Sequence, residues 1–512
     1  MYMRIEKSSD WMEGLQKRLD GEQEWDNWTL YQMSYDVEKR KLIPTFYGLQ
    51  SPKFLPALKP YPHQLEAAET VIERMNGKAI LADEVGLGKT IEAGLILKEY
   101  LIRGLVKKAL ILTPASLSTQ WIEELNQKFH IPAVPFNKKY DLNLCNIVVA
   151  SLDMAKRSPH KENIYNQNYD LVIVDEAHKL KNHKTKNYEF VQSLKKKFCL
   201  LLTATPIQND VFELFHLISL LKPGHLGNFE TFQQVFSASK HNVEEDEFLK
   251  ELINQVMVRN SRQHIGLDWT SRRVQIIPIE FSQKEKEVYD LIANSAEHLK
   301  AFSEAFTVMT LKREFCSSKE AAWLTLEKLV EKCNGAEERA YINELLMKLQ
   351  ALEINTKADK AYEIIKQAND KVIIFTEYRA SQTYLQAYLF SKGITSVPFN
   401  GKFNKSKREW MKQLFKEKAQ VLIATESGSE GINLQFCHHV INYDLPWNPM
   451  KVEQRIGRVH RLGQEHDVHI YNLAIKHTIE DYMLELLNTK IGVFEKVVGE
   501  LDDILSEYRL SI

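Results

Sequence analysis

The segment LADEVGLGKT at 81–90 contains the residue types that a phosphate-binding loop requires. Gly86 and Gly88 allow the backbone to close around a phosphate group without a side-chain clash. Lys89 is placed to reach the β- and γ-phosphates of a nucleotide, and the Thr90 hydroxyl is placed to bind Mg²⁺. Asp83 stands where the strict pattern has glycine. Taken alone, the segment could therefore also be an ordinary turn that happens to precede Gly-Lys-Thr.

Two adjacent carboxylates follow an apolar run in LVIVDEAH at 171–178. The end of a strand beside a phosphate loop is where a metal-holding aspartate is needed. We expect Asp175 to hold Mg²⁺, directly or through water, and Glu176 to position and deprotonate the attacking water. A strand end with two solvated acids is the alternative, and the phosphate loop upstream favours the catalytic interpretation.

Two further pairs of residues could complete a nucleotide site. Thr203 and Thr205, in LLTATPIQN, offer hydroxyls that could couple the γ-phosphate site to another domain, although TATP is also an ordinary turn sequence. In YPHQ, Tyr61 could stack on adenine, and the Gln64 amide could bond to its edge as donor and acceptor. An ordinary helix N-terminus is the alternative for YPHQ.

Three arginines, Arg455, Arg458 and Arg461, recur at every third position of EQRIGRVHRLGQ (453–464). On a helix they would lie near one face. They could form an exposed basic stripe, or they could be arginine fingers that reach across a cleft to the γ-phosphate. The order of the motifs favours fingers, because the Gly/Ser-rich segment ATESGSEGINLQF (424–436) comes directly before them.

The pattern of apolar runs indicates the elements that must position these groups. Short β-branched or leucine-rich runs alternate with helical stretches from KAILAD to FCLLLTATP, and a second such series starts at KVIIFTE. This alternation predicts parallel sheets with crossover helices. The charged stretch at 281–345 has no strand-like run and is predicted to be helical. The predicted fold class is therefore α/β, with two parallel-sheet domains.

Length and composition restrict the class of protein. The 512 residues are 44% hydrophobic and 26% charged, which fits a globular protein of two or three domains. Five cysteines without CxxC spacing argue against a zinc ribbon or a disulfide framework and favour a reducing compartment. No apolar run approaches the roughly 20 residues of a membrane span. We therefore expect no membrane partner and a cytoplasmic location.

As a set and in this order, seven motifs resemble those of superfamily-two helicase-like ATPases, and of the Swi/Snf family in particular: YPHQ, DEVGLGKT, ILTPASLSTQW, DEAH, TATPIQN, ATESGSEGINLQF and QRIGRVHRLGQ. The forms DEVGLGKTIEAG, VRNSR and LKREFCSS are similar to the bacterial branch that includes the ATPase that recycles RNA polymerase. The resemblance covers residues from about 60 to 490.

The resemblance implies two tandem RecA-like parallel-sheet lobes that sandwich ATP and Mg²⁺, with family-specific helical insertions. The boundaries it suggests are an N-terminal segment (1–60), a first lobe (61–275, with a helical insertion at about 210–260), a helical linker (276–350), a second lobe (351–490) and a helical tail (491–512). It identifies Arg458 and Arg461 as the fingers, with Gln454 beside them. It makes Asp83 an accepted variant of the loop, and it adds Leu87 and Gly431 to the nucleotide-binding set.

The resemblance also implies a path for duplex DNA across both lobes, opposite ATP. Hydroxyl and amide groups suit phosphate contacts, which position DNA without reading its sequence. The candidates are Thr113, Pro114, Ser116 and Ser151 in the first lobe, and Asn400, Lys402, Ser427 and Gly428 in the second. The basic stretch 402–418 is either a phosphate track or a solvated amphipathic helix.

The expected function is ATP-dependent translocation along duplex DNA, with remodelling or displacement of bound proteins. A strand-separating DNA or RNA helicase is one alternative. An ATPase or scaffold subunit of a larger DNA-processing or defence complex is another, and RNA polymerase or a DNA-defence or repair assembly is then the protein partner. The 67 basic and 68 acidic residues give a net charge of −1. This near-neutrality fits an enzyme that must release DNA at each step, and it predicts modest, salt-sensitive affinity.

Overall fold

The chain divides into two units, Met1–Gln50 and Ser51–Ile512. The computed structural model describes residues 16–17, 20, 28–41, 48–136, 144–207, 211–236, 243–262, 269–295, 304–333, 335–429, 433–461 and 463–497. In the first unit, helix α1 (Trp28–Lys41) carries a row of exposed, stacked aromatic rings. The rings of Trp28 and Tyr31 are 5.3 Å apart, and those of Tyr31 and Tyr35 are 6.3 Å apart.

The second unit begins with an α/β layer whose elements extend to residue 258. Its strands are β1 (Lys78–Leu81), β2 (Ala109–Thr113), β3 (Ala133–Pro135), β4 (Ile147–Ser151), β5 (Leu171–Asp175), β6 (Phe198–Leu202) and β7 (Met257–Val258). Its helices are α2 (Pro62–Glu73), α3 (Lys89–Ile102), α4 (Ser118–Gln127), α5 (Leu152–Ala155), α6 (His160–Tyr165), α7 (Lys186–Gln192), α8 (Phe212–Leu221), α9 (Phe229–Phe236) and α10 (Val243–Asn254), with short 3-10 turns at Ser51–Phe54 and Ala177–Leu180.

These strands form a parallel sheet in the order β3-β4-β2-β5-β6-β1-β7. The central strands are apolar throughout because helices cover both faces of such a sheet. In the register, Leu202 at the end of β6 is opposite both Leu81 of β1 and Asp175 of β5. The loops that leave these three strands therefore start side by side at one edge, which is where open parallel sheets bind ligands.

A second α/β layer follows. Its strands are β8 (Arg272–Ile279), β9 (Val372–Thr376), β10 (Ser396–Phe399), β11 (Val421–Thr425), β12 (His439–Asn442) and β13 (Val468–Ile475). Its helices are α11 (Gln283–Ala293), α12 (Glu304–Ser317), α13 (Lys319–Lys332), α14 (Ala336–Gln350), α15 (Thr356–Ala368), α16 (Arg379–Ser391), α17 (Lys405–Glu417), α18 (Glu426–Ser429), α19 (Pro449–Ile456) and α20 (Ile479–Val497).

The strands of this layer also form a parallel sheet, in the order β10-β11-β9-β12-β13-β8. Helices α11 to α14 fill the stretch predicted to be helical, and their buried faces share one apolar cluster with strand β9. Strand β8 spans the suggested lobe boundary at 275, yet it pairs along its whole length with β13. The structure therefore assigns all of Arg272–Ile279 to the second sheet. Among the described residues, every helix is too short or too polar to cross a bilayer.

Candidate functional site

The loop between β1 and α3 has the conformation that its glycines permit. Gly86 and Gly88 have φ values of 95° and 97°, in the left-handed region that side chains disfavour. A Cβ atom on Gly88 would overlap the Gln64 Nε2 atom, and a Cβ atom on Gly86 would lie 3.3 Å from Arg461 Cγ. The loop therefore packs against both α2 and the arginine segment of the second sheet, and it leaves no room for larger residues.

Lys89 and Asp83 both form hydrogen bonds that hold this loop in place. Lys89 Nζ donates to the carbonyl oxygens of Asp83 at 2.6 Å and Glu84 at 3.2 Å. The buried Asp83 carboxylate accepts the Asn260 backbone N–H at 2.8 Å and the Asn260 side-chain amide at 3.0 and 3.1 Å. The aspartate that replaces the usual glycine therefore anchors the loop to the segment that follows β7.

The YPHQ residues fasten the other side of the loop. His63 Nε2 and Gln64 Nε2 both bond to the Leu87 carbonyl oxygen, at 3.0 and 2.8 Å. Gln64 Oε1 accepts the Tyr61 backbone N–H at 3.0 Å, and the Tyr61 ring is 38% exposed. Both ends of the Gln64 amide are thus engaged within the chain, and Tyr61 is the more accessible of the two predicted adenine contacts.

Asp175 lies half-buried at the end of β5. Its Oδ2 atom accepts the indole N–H of Trp121 at 2.8 Å, and its Oδ1 atom accepts the Glu176 backbone N–H at 2.9 Å. Burial and the charge of Glu176 raise the pKa of Asp175 to about 6, against the lowering effect of the Trp121 hydrogen bond. A carboxylate and a hydroxyl are oxygen ligands of the kind that Mg²⁺ prefers, so Asp175 and Thr90 stay the predicted metal ligands.

Glu176 has a left-handed backbone, with φ 52°, which turns its side chain out of the strand direction. Its Oε2 atom lies 3.2 Å from His178 Nδ1. Burial alone would raise the pKa of Glu176, but the His178 imidazole and the positive charges of Arg458 and Lys89 lower it to about 2. Groups from both sheets therefore keep this carboxylate ionised.

Thr203 and Thr205 are buried in the loop that follows β6. The Thr205 backbone N–H donates to Thr203 Oγ1 at 3.0 Å, and the two hydroxyl oxygens are 3.5 Å apart. This places a compact hydroxyl pair next to the end of β1, where the phosphate loop starts.

The three arginines do not share one helical face, because α19 ends at Ile456. Arg455 is inside the second lobe, where Nη1 donates to Asn442 Oδ1 at 3.1 Å and to the Asp444 carbonyl at 2.7 Å. Arg458 and Arg461 lie in the turns after the helix. The stripe interpretation is therefore wrong for Arg455, and the turns direct only the other two toward the phosphate loop.

The side chain of Arg461 is held by the backbone four residues earlier in the same segment. Its Nε atom donates to the Gly457 carbonyl at 2.7 Å. Burial, together with the charge of Arg458, lowers the pKa of Arg461 to about 10, which still leaves it cationic at neutral pH. Gln454 lies half-buried on α19, and Gly431 falls outside the described residues.

The candidate DNA contacts differ in accessibility. Ser116 and Lys402 are exposed, whereas Thr113, Pro114 and Asn400 are buried. Thr113 Oγ1 lies 2.8 Å from Ser118 Oγ, and Asn400 Nδ2 donates to Gln382 Oε1 at 3.1 Å, so these two side chains shape their loops rather than face solvent.

The remaining DNA candidates lie at loop ends. Ser151 caps α5 by accepting the Met154 N–H at 3.2 Å. A Cβ atom on Gly428 would lie 2.6 Å from Asn400 Cα, so the two predicted second-lobe loops touch. The side chain of Ser427, within α18, is not described.

Comparison with known proteins assigns the chain to a family. Residues 63–337 match the SNF2-related domain, and residues 356–463 match the helicase conserved C-terminal domain. The chain belongs to the SNF2-related family. It is 57% identical over 504 residues to the uncharacterized ATP-dependent helicase YqhH of Bacillus subtilis (strain 168), a match that covers 98% of this chain and 90% of that protein. The predicted family is thus confirmed, and SNF2-related membership makes the chain an ATPase.

One solved structure supports the fold. The helicase domain of Pyrococcus furiosus Hef has a TM-score of 0.53 and 18% identity, covering 83% of this chain and 98% of that chain. The Sulfolobus solfataricus SWI2/SNF2 ATPase core in complex with dsDNA has a TM-score of 0.41 and 23% identity, covering 86% and 95%. With the two parallel sheets, the likeness to Hef confirms the α/β fold of tandem RecA-like lobes.

The sequence alone did not single out Trp121, His178, Arg262 or Glu453. Trp121 and His178 lie inside quoted motifs. Trp121 donates to Asp175, and His178 Nδ1 lies 3.2 Å from Glu176 Oε2. Arg262 and Glu453 are 191 residues apart in sequence, and they meet directly. No local sequence pattern predicts a contact between residues so far apart. The charged residues in VRNSR and EQRIGR are the signal from which these two could have been selected as candidates.

Proposed function

We propose that this SNF2-related chain hydrolyses ATP in the cleft between its two sheets and uses the cycle to move along duplex DNA, where it remodels or displaces bound proteins. One observation carries the proposal. The phosphate loop of the first sheet lies against the arginine segment of the second, since a Cβ atom on Gly86 would be 3.3 Å from Arg461 Cγ, and the charges of Arg458 and Lys89 lower the pKa of Glu176. A carboxylate that stays ionised beside cations from both sheets suits the orientation of water for attack on a phosphate.

Each residue then has a distinct task. Lys89 and the amides of the loop bind the β- and γ-phosphates, and Glu176 orients the attacking water and accepts its proton. Arg458 and Arg461 stabilise charge on the transferred phosphate from the opposite side. Thr90 and Asp175 would hold Mg²⁺, which neutralises charge on the phosphate oxygens when it is bound.

Coupling to movement follows from the division of the site between the sheets. ATP has contacts on both sides, whereas the products lack the γ-phosphate linkage, so the free energy of closure differs between the two states. Thr203 and Thr205 lie next to the phosphate loop and are suited to transmit this difference. Alternating closure and opening then moves the two lobes relative to each other.

Exposed basic groups support a DNA partner. Helix α17 presents the exposed Lys416 and the half-buried Lys412 to an open cavity. The cavity is also lined by amide side chains and two acids, namely Asn433, Gln435, Gln464, Glu409 and Glu465. Together with Lys402 and Ser116, the lysines and amides suit contacts with a phosphate backbone. Because the chain as a whole is nearly neutral, its affinity for DNA should be modest and should fall steeply with salt.

The test is ATP hydrolysis with and without duplex DNA, on the wild type and on Lys89→Ala and Glu176→Gln. We expect stimulation by DNA and a loss of at least about 10²-fold in both variants, because each removes a group that acts on the transferred phosphate. Glu162→Gln, an exposed acid on α6, is the matched control. Activity without DNA stimulation would contradict the DNA partner, and full activity in both variants would contradict the site.

A strand-separating helicase is the second candidate, and the name of the Bacillus relative, an ATP-dependent helicase, favours it. Strand displacement on tailed DNA and RNA duplexes separates the two. A translocase removes a bound protein from intact duplex DNA, whereas a helicase releases a labelled strand. Displacement of protein without strand release supports the first proposal.

A further inference from the structure

A buried cluster of charged side chains connects the phosphate loop to helix α19. Glu84 in the loop, Arg262 after β7 and Glu453 on α19 are only 4%, 3% and 3% exposed. Glu84 and Arg262 belong to the first sheet, and Glu453 belongs to the second. None of the three is among the predicted nucleotide, metal or DNA ligands, so their burial at this boundary requires another explanation.

Arg262 touches both sides of the boundary. Toward the first sheet, its backbone N–H donates to Glu84 Oε2 at 3.2 Å, its Nη1 atom is 3.6 Å from the same oxygen, and Nη2 donates to the Val85 carbonyl. Toward the second sheet, Nη1 donates to Glu453 Oε1 at 3.3 Å. One guanidinium group therefore bridges the phosphate loop and the helix that leads into the arginine fingers.

Glu453 is held from its own side as well. Arg272 of β8 forms a bidentate pair with it, through Nη1 at 2.6 Å and Nη2 at 2.9 Å, and donates from Nε to His460 Nδ1 at 2.9 Å. His460 directly precedes Arg461, and its other ring nitrogen lies 2.8 Å from the Thr270 carbonyl. The start and the end of the finger segment are thus both tied to β8.

The pairing suits a contact that must break and re-form. Leaving one charge of a buried pair alone is strongly unfavourable. Here, separation of Arg262 from Glu453 leaves each with an opposite charge on its own sheet, Glu84 for the arginine and Arg272 for the glutamate. The interaction between the sheets can therefore be broken without isolating a charge in either lobe.

We infer that Arg262 is a positioning residue that latches Glu453 to the phosphate loop and thereby sets the approach of Arg458 and Arg461 to the nucleotide. The expected effect on catalysis rests on the proposed ATP hydrolysis in this cleft, whereas the contact of Arg262 with Glu453 does not depend on that proposal. Displacement of reacting groups by about 1 Å can cost about 10²-fold in rate. Loss of the latch should therefore reduce turnover more than nucleotide binding by the first lobe.

The test compares Arg262→Met, which keeps an unbranched apolar stem but removes the guanidinium group, with Arg262→Lys, which keeps the positive charge but not the paired N–H donors. Arg273→Met is the matched control, because Arg273 lies on the same strand as Arg272 but forms an exposed pair with Asp467. The first measurements are kcat and KM for ATP and the thermal midpoint of unfolding. The last is the distance between spin labels at Lys107→Cys and Ser391→Cys in nucleotide-free protein. Cys145→Ser removes the one partly exposed native thiol among the described residues.

For Arg262→Met we expect kcat to fall by about 10²-fold, with KM changed by no more than about threefold. The distribution of distances between the two spin labels should become broader. Arg262→Lys should retain part of the activity, and Arg273→Met should behave as wild type. Wild-type kcat and distance in Arg262→Met would overturn the inference, as would a loss explained entirely by a lower thermal midpoint. If the wild type hydrolysed no ATP, the proposed function would fail, and the label distances alone would decide on the latch.

Discussion

Gly457, just after α19, packs directly against Val85 in the phosphate loop. A Cβ atom on Gly457 would lie 2.7 Å from Val85 Cβ and closer still to Val85 Cγ1. The backbone of Gly457 is ordinary, with φ −64°, so this glycine is required by space and not by conformation. The contact fixes how closely the finger segment can approach the nucleotide site.

Gly457→Ala should therefore push the two lobes apart in the closed state and reduce ATP turnover by about 10-fold or more, as expected for displaced catalytic groups. The paired change Val85→Gly removes both clashing atoms and should restore part of the activity when combined with Gly457→Ala. Steady-state kinetics of the two single variants and the double variant measure this. Additive losses in the double variant would contradict a direct steric contact.

Gly88→Ala should weaken nucleotide binding, because φ 97° is unfavourable for alanine and because the new methyl group would displace Gln64 from the Leu87 carbonyl. The backbone cost alone is about 1–2 kcal/mol. Gly104→Ala is the control, since Gly104 also has positive φ but has nothing near its Cβ position. Titration with a fluorescent ATP analogue should reveal weaker binding only in Gly88→Ala.

Trp121→Phe should raise the Mg²⁺ concentration needed for ATP hydrolysis, because it removes the N–H that orients Asp175 while keeping an aromatic ring in the core. Partners that orient metal ligands are typically worth about 10–100-fold in metal affinity. Trp323→Phe, a half-buried tryptophan on α13, controls for the loss of ring volume. An unchanged Mg²⁺ dependence would show that Trp121 has only a packing role.

Glu314→Gln should stabilise the protein at alkaline pH. Burial raises the pKa of Glu314 to about 7 from a usual value of 4.5, despite the Thr325 hydroxyl that donates to its Oε1 atom at 2.9 Å. Between these two values the folded state binds more protons than the unfolded state, so the stability that Glu314 contributes is full below pH 4.5 and is lost as pH rises through about 7.

Glutamine resembles the protonated acid and should avoid that loss, which is worth roughly 3 kcal/mol. Thermal midpoints measured at pH 5.5 and pH 8 test this. The midpoint of Glu314→Gln should exceed that of the wild type at pH 8 and approach it at pH 5.5, whereas Glu327→Gln, an exposed acid on the next helix, should not differ. An equal difference at both pH values would rule out titration as the cause.

The strands of the two sheets were largely predictable because most central ones contain a continuous apolar run, such as 171–174 in β5 or 421–424 in β11. The exceptions are short or polar. Met257–Val258 has only two residues, and Arg272–Ile279 has a mixed burial pattern that gives no clear period. Both lie at sheet edges, where pairing with one neighbour, rather than burial on both faces, defines the strand.

The candidate site was predictable where chemistry is local in sequence. Lys89, Thr90, Asp175 and Glu176 follow strands whose ends meet at one edge of the sheet. The arginines were only partly predictable, because a spacing of three residues suggested a common face, whereas the helix ends before Arg458. Contacts such as Arg262 with Glu453 depend on how the two lobes pack, and no single segment encodes that.

The hydrogen bonds from Lys89 to the carbonyl oxygens of Asp83 and Glu84 give its ammonium group an internal resting position. An incoming anion must replace these two carbonyl oxygens as the hydrogen-bond acceptor of the ammonium group. A ligand with a single, weakly bound phosphate therefore gains little binding free energy from this lysine. When spent nucleotide departs, the ammonium group returns to the carbonyls and is never left without an acceptor. We therefore expect the loop to lower the affinity for nucleotides but to remove a barrier to their exchange, which would favour rapid turnover over tight retention.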